Sequence, residues 1–540
     1  MIGLALPWLE PFTFGPVTPA VQSFFTAFCV LTLVAYAGIS PTLWGRGFAA
    51  LVAGSWLIAA LLSATLGLVQ YFGYSAWLSP WLDLASAGQA YGNLRQRNQF
   101  ASLIMLGMAA LIYWQQCGFE SLNSDANKSG WMPHPKPVTA VLAMLLLVTA
   151  DAASASRTGA LQLLLLTGMV MVWYRNRRLN AKNREIRGTG TGAGTGTELA
   201  EPNQNAFTLR LMLLALLVYA VVSRLLPVMA GIEGAQGGVW ARLQGPDAGC
   251  SSRLLLWSNV LHLIALKPLT GWGLGELSFA HFDTLYDGPR FCEILDNAHN
   301  LPLHIAVTFG VPAALLACIA AIVAMVRARP WRSMNPQQQL AWSACMVIGV
   351  HSLLEYPLWY APFQLAALCV VLLWCGVERR QKWLMAQGTQ MVAGLVFVCC
   401  AYGAWDYWRI SQIYLSADSR APMYRDDTLQ KIENSWLFGT QVRFARLSVT
   451  PLDADSPQSE QAAATQLELA TDLLHFSPEP MVVQKVLESA GALGCTADFA
   501  YYSARFRAAY PDAYKAFKTL PPKPQNSRSC LHTTAAATGP

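Results

Sequence analysis

Charge is what this 540-residue sequence is short of. Asp, Glu, Lys and Arg make up 13% of it, against roughly 25% in ordinary globular proteins. Hydrophobic residues reach 54%, and mean hydropathy is +0.33. A chain so poor in charge cannot clothe every segment in polar surface. That excludes a plain soluble enzyme, a disordered chain and a fibrous one. The formal net charge of +6 is too weak for a nucleic-acid footprint, so no nucleic-acid partner is expected. Common catalytic signatures are missing too: there is no H-E-x-x-H, C-x-x-C, G-x-S-x-G or P-loop. His299 and His304 are five apart, which does not suit adjacent ligands on one helix face, and no metal is expected. Residues 1–9 lack a basic n-region and a small-residue cleavage site, so they do not read as a signal peptide. They read as the truncated stump of a first helix.

What the sequence does have is long apolar runs. About 20 apolar residues in a helix cross a bilayer. Ten stretches qualify or nearly so: 21–39, 47–71, 98–117, 137–152, 158–174, 209–227, 300–326, 338–354, 361–377 and 389–407. With the stump they predict an all-α polytopic membrane protein of about 11 transmembrane helices. Lys and Arg set the orientation, because cytoplasmic loops hold the excess. Loops 40–46, 118–136, 175–208, 327–337 and 378–388 carry 15 basic residues, and the alternate loops carry 7. The first set is therefore cytoplasmic. The alternate set, including the long loop 228–299, faces outward, as does the tail from about 408. This organisation predicts a membrane domain over 1–407 and an outward helical domain over 408–540.

Three non-membrane stretches stand out. The cytoplasmic segment 175–208 contains RGTGTGAGTGT at 187–197. That is a low-complexity linker, and it fails the G-x-G-x-x-G spacing. The outward loop 228–299 is far longer than a connector needs. The tail has 13 basic and 13 acidic residues, and 459–475, 480–493 and 496–518 read as amphipathic helices. They fit short helical hairpins of tetratricopeptide-like type, although no clean 34-residue repeat is visible. Most of the 12 cysteines sit in apolar runs, where core packing accounts for them. Cys250 and Cys292 share the outward loop, and Cys495 and Cys530 share the tail. Each pair is a candidate disulfide if its compartment is oxidising.

Ionisable residues in or beside membrane segments are costly there, so they are the first functional candidates. Asp151 and Arg157 lie where two helices meet at the outer face. Arg157 can grip a phosphate bidentately or snorkel to headgroups. Arg253 opens a helical stretch that Pro268 and glycines 271, 273 and 275 then turn sharply. His299 opens a membrane helix at its outer end, with Asn300 beside it. It is either structural or a proton acceptor near neutral pH. His351 and Glu355, four apart, share a helical face just before Pro357; they position a substrate or brace an aromatic belt. Arg95, Arg97, Asn98 and Gln99 stand at the outer mouth of the helix beginning near 98. Outward arginines beside a histidine suit a lipid diphosphate held next to a proton acceptor.

Five stretches carry a family resemblance: GNLRQRNQFA at 92–101, SASRTGA at 154–160, SRLLLWSNVLHLIALKPLTGWGLGE at 252–276, NAHNLPLHIAVTFG at 297–310 and HSLLEYPLWYAPF at 351–363. In that order they resemble the bacterial O-antigen ligase and polymerase superfamily. The last two, with the tail, are similar to its protein O-oligosaccharyltransferases, which glycosylate pilins. The resemblance implies a GT-C-like membrane glycosyltransferase of the bacterial inner membrane, with its active site facing the periplasm. The implied donor is an undecaprenyl-diphosphate-linked oligosaccharide, and the acceptor is a Ser or Thr hydroxyl of a pilin or other exported protein. No cofactor is implied. His299 takes the place of the family's essential outer-loop histidine, and Arg157 and Arg253 those of the diphosphate-holding arginines. Arg95 and Arg97 become further donor or glycan contacts. Asn300, His351 and Glu355 become acceptor-positioning or structural residues. Thr308 departs from the pattern, standing where many relatives carry an acidic residue. The rival readings are an O-antigen ligase acting on lipid A–core, a polysaccharide polymerase and, in another class, a lipid-linked oligosaccharide transporter.

Overall fold

The computed structural model describes residues 1–12, 15–39, 47–117, 136–186, 200–232, 249–375, 387–450, 459–517 and 529–531. The stretch 187–197, most of the basic loops used for orientation, and residues 233–248 of the outward loop lie outside the described residues. Among the described residues the regular structure is helical, without a strand. Six helices are long and apolar enough to cross a membrane: Phe48–Tyr71, Arg97–Cys117, Pro137–Ser154, Ala206–Met229, Val311–Arg332 and Gln387–Tyr414. The other expected spans are helical as well, but Pro19–Ala35 and Ala361–Cys375 are shorter apolar pieces. The chain groups into two compact units, Met1–Gly245 with Ile322–Tyr402, and Pro246–Ala321 with Gly403–Pro540.

The first unit is built around Arg97–Cys117, whose apolar window is 94% buried. Phe48–Tyr71, Pro137–Ser154, Arg157–Ile186 and Pro336–Leu354 all pack on it. Small residues make the close approaches. A Cβ on Gly107 would lie 2.2 Å from that of Ala60, so only glycine lets these two helices meet there. This is how membrane helices associate when apolar side chains gain nothing by leaving lipid. Ala-rich faces such as Ala53, Ala59, Ala60 and Ala64 are fully buried in the same core.

In the second unit, Arg253–Leu266 and Leu301–Phe309 pack together over Leu256, Val260, Leu263, Leu295, Ala298 and Val307. The expected span 300–326 is broken at Gly310, between Leu301–Phe309 and Val311–Ala328. The cause is the Pro268–Gly273 turn, which docks into the break. Trp272 N donates to Val307 O at 2.8 Å, Gly273 N to Thr308 O at 3.0 Å and Val311 N to Pro268 O at 2.8 Å. Carbonyls left open at a helix end thus find partners. Gly310 has φ +91, and a Cβ there would lie 2.1 Å from Leu269 O. Gly271, at φ +68, would place one 2.4 Å from Thr308 C.

The tail forms Gly439–Val449, Ser459–Phe476, Pro480–Ala492, Thr496–Ala509 and Pro511–Ala516. The helix expected over 496–518 breaks before Pro511, because proline lacks the N–H and clashes with the preceding turn. Successive helices pack on one another. The short helix Leu277–Asp283, from the long loop 228–299, is fastened to them. Phe282 enters their core beside Leu474 and Val483. Asp283 accepts from Arg505 Nε at 2.7 Å and Tyr501 Oη at 2.5 Å, and His475 Nδ1 is 2.7 Å from Glu276 Oε2.

Candidate functional site

Arg157 opens its helix directly after a left-handed Ala155, φ 51. Ser156 caps that helix: its Oγ accepts from Gly159 N at 3.1 Å and donates to Asn98 Oδ1 at 2.7 Å. Asn98 Nδ2 in turn donates to Glu355 Oε1 at 3.2 Å. Three segments distant in sequence are therefore tied together at one end of the helical core, with the exposed Arg157 beside the tie. Asp151, which with Arg157 stands where two helices meet, is fully buried, and its carboxylate oxygens find no hydrogen-bond partner among the described residues.

His351 and Glu355 do not share a helical face. Pro336–Leu354 ends before Glu355, which is extended at φ −156. The helix stops ahead of Pro357, as chain entering a proline leaves the α region. Glu355 turns to Asn98, while His351 is fully buried with its Nδ1 2.9 Å from Ser102 Oγ. Gln162 Nε2 donates at 2.9 Å both to Ser102 Oγ and to Val347 O. Buried polar atoms cost about 1–3 kcal/mol when left unpaired, which accounts for this network. Sequence patterning did not single out Ser102, Ser156 or Gln162, because a lone hydroxyl or amide in an apolar run gives no periodic signal.

Arg95 and Arg97 part company. Arg95, at φ 59, is committed to the protein. Its Nε is 2.6 Å from Asp83 Oδ2 and its Nη2 donates to Pro11 O at 2.6 Å. Burial pushes the Asp83 carboxyl up, and the Arg95 charge opposes that. Arg97 lines a cleft of about 290 Å³ with Gln89, Tyr91, Gln96, Asn98 and Glu355.

In the second unit His299 sits at φ 50, a left-handed conformation rare outside glycine. Its neighbours hold it there. Asn297 Oδ1 accepts from His299 N at 2.8 Å, and Trp257 Nε1 donates to Ala298 O at 3.1 Å. Asn300 caps the next helix, accepting from Leu303 N at 3.1 Å. His299 is half-buried, and its charge draws the Asp296 carboxyl down against the larger upward push of burial. Arg253 begins the helix that packs against this one, capped by Ser252 Oγ from Leu255 N at 3.2 Å. Both side chains thus stand on elements of one small core. Cys250 and Cys292 are joined, Cα atoms 5.4 Å apart, which fastens the start of that helix to the strand of chain leading to His299. Cys495 and Cys530 are joined in the tail.

His281, which the sequence did not single out, is structural. Its Nε2 lies 3.0 Å from Phe291 O and its Nδ1 2.8 Å from Tyr286 Oη. A carbonyl only accepts, so Nε2 carries the proton. Burial, with the nearby Arg290 charge, pushes its pKa down to about 3.

Three family models match the chain in succession. Residues 90–114 match a protein glycosylation ligase model, 142–318 an O-antigen ligase model and 339–524 the C-terminal model of a virulence factor membrane-bound polymerase. The chain is thus similar, part by part, to the O-antigen ligases and protein glycosylation ligases. The first match holds Arg95 and Arg97, the second Arg157, Arg253 and His299, and the third His351 and Glu355. Its curated relatives include the ComP-specific O-oligosaccharyltransferase of Acinetobacter baylyi, 22% identical over 277 residues. That alignment covers 51% of this chain and 42% of the relative, so the chain spans less than half the length of the curated protein it matches. No solved structure matches. The six apolar helices and the match to the O-antigen ligase model support a multi-pass membrane protein.

Proposed function

We propose that this protein transfers an oligosaccharide, as one block, from an undecaprenyl-diphosphate carrier to Ser or Thr hydroxyls of exported proteins such as pilins. The observation that carries the reading is His299, held in a left-handed turn by Asn297, Trp257 and Asn300, on the same small core as the Arg253 helix. A residue held in a left-handed conformation by its neighbours supports a functional role for that position. The glycosylation ligase match and the relative from Acinetobacter baylyi support the chemistry.

In this reading the acceptor oxygen attacks the anomeric carbon, and the carbon–oxygen bond to the diphosphate breaks. The electron pair leaves with the diphosphate, whose growing charge Arg157 and Arg253 neutralise. His299 orients the hydroxyl and takes its proton. One displacement inverts the anomeric centre. The chain crosses the inner membrane about 11 times, with 1–407 as the membrane domain, and 228–299 and 408–540 in the periplasm. The helical tail there recruits the protein acceptor.

A second reading, transfer to lipid A–core, is favoured by the O-antigen ligase match over 142–318. One experiment separates them. Cells supplying a lipid-linked oligosaccharide and a candidate pilin receive either this protein or His299→Ala, and pilin and lipid A–core are both assayed for glycan. Glycan on pilin, lost in the variant at equal protein level, is the expected result. Glycan on lipid A–core alone replaces the acceptor. Transfer that survives the substitution removes His299 from the mechanism.

A further inference from the structure

The cleft beside Arg97 is a feature of the first unit that the proposed reaction leaves unused. Its volume is about 290 Å³ and its lining is Gln89, Tyr91, Arg95, Gln96, Arg97, Asn98 and Glu355. Two of its groups lack protein partners. The part-buried Arg97 guanidinium makes no hydrogen bond or ion pair with any described residue, whereas neighbouring Arg95 is locked to Asp83 and Pro11. Gln96 Oε1 is a buried acceptor that is likewise unsatisfied among the described residues. Buried polar atoms are normally paired, so an orphan donor and an orphan acceptor facing one cleft call for a polar occupant.

The lining says which kind. One carboxylate, three amides, one aromatic ring and two guanidiniums, of which Arg95 is already bound to Asp83 and Pro11, offer donors and acceptors in near balance. That suits a neutral ring of hydroxyls better than a phosphate, which Glu355 would repel. The size suits a single ring, since drug-sized ligands occupy cavities of roughly 300–1,000 Å³. The cleft is also tied to Arg157. Asn98, on its wall, accepts from Ser156, the residue just before Arg157.

We infer that this cleft is a subsite for one sugar ring, the ring next to the diphosphate of the donor, with Arg97 and Gln96 as its recognition groups. The inference rests on the proposed transfer reaction for the identity of the donor, but binding in the cleft does not depend on transfer. Arg97 donates to ring or hydroxyl oxygens, Gln96 Oε1 and Glu355 accept from hydroxyls, and Tyr91 supplies an apolar face.

The test measures binding and transfer separately, on the full chain in detergent. Methyl glycosides of glucose, galactose, N-acetylglucosamine and N-acetylgalactosamine are the sugar probes, read by saturation-transfer NMR. Inorganic pyrophosphate is the anion probe. At least one glycoside is expected to bind, with affinity reduced tenfold or more in both Arg97→Ala and Gln96→Ala, and with no displacement by pyrophosphate. Arg97→Lys guards against misfolding: it keeps the charge and loses the fork, so it too must weaken glycoside binding. Glycoside signals absent, or unchanged in all three variants, overturn the inference. So does pyrophosphate binding that depends on Arg97, which makes the cleft an anion site. If transfer proceeds and Arg97→Ala leaves the donor KM unchanged, the subsite is wrong and the transfer reaction stands. Arg97-dependent glycoside binding in a chain that transfers nothing leaves the subsite and removes the reaction.

Discussion

The two units hold their candidate residues by different means. Around Arg157 the first unit uses a sealed core: alanine-lined helix contacts, and hydroxyl and amide side chains that hydrogen-bond between helices in the apolar interior. Around His299 the second unit uses covalent and backbone devices: a disulfide, a turn threaded into a broken helix, and side-chain caps on the Arg253 and Leu301 helices. The difference follows from the size of the core. Where apolar helices meet over small residues, close shape can specify the fold. A small core must restrict its chain by staples and turns.

If that contrast is right, the second unit is most vulnerable at its turn. Gly310→Ala combines a positive φ with a Cβ 2.1 Å from Leu269 O. Neither can relax without pulling the turn out of the helix break. We expect a loss on the order of 4 kcal/mol in unfolding of the purified protein, with transfer abolished. Gly107→Ala strikes the first unit at a comparable approach, 2.2 Å from the Ala60 Cβ. Two helices can part there slightly, so the loss should be about half as large. Equal losses would erase the contrast.

Removing the Cys250–Cys292 staple tests the same point more gently. The pair closes a loop across a separation of 42 residues. Replacing both by serine should cost about 2–4 kcal/mol by freeing the unfolded chain. Hydrogen exchange should rise along 249–299 and leave Arg97–Cys117 protected. Uniform loosening of both units would show that they do not unfold separately. In the first unit, Ser102→Ala strips His351 Nδ1 and Gln162 Nε2 of a shared partner. About 2 kcal/mol should be lost there, and Ser102→Thr should restore most of it if the hydroxyl is what matters.

Much of the helical plan was legible in the sequence, and the reasons are physical. Apolar runs of membrane length have few alternatives to a helix, and Pro478, Pro480 and Gly494 stand at the tail-helix boundaries, whereas Gly491 lies just inside one helix end. The break at Gly310 was not legible, because 300–326 reads as one run. Only the three-dimensional return of Pro268–Gly273 ends the first helix there. The candidate arginines were visible as charges in apolar surroundings, yet sequence treated Arg95 and Arg97 alike. Asp83 and Pro11, remote in sequence, separate them by occupying Arg95 alone. Glu355 was placed on the face of His351 by a spacing that holds only while the helix lasts. The helix stops one residue short of it.

The smallest expected effect concerns pH and again falls on the second unit. His281 is buried, neutral and depressed to about 3, with Arg290 and Tyr286 beside it. In the unfolded chain it titrates near its ordinary value of about 6.5. Between those values the unfolded chain binds the proton and the folded one does not, so stability rises with pH across the window. The contribution of His281 is complete above about 6.5 and drains away as pH falls toward 3. From pH 7 to 5.5 the second unit should lose about 1 kcal/mol from this source. His281→Asn should flatten the unfolding midpoint of that unit over the same interval, while lowering it at pH 7. A midpoint that falls just as steeply with acid in His281→Asn would assign the acid sensitivity to some other group and leave the buried imidazole a packing element only.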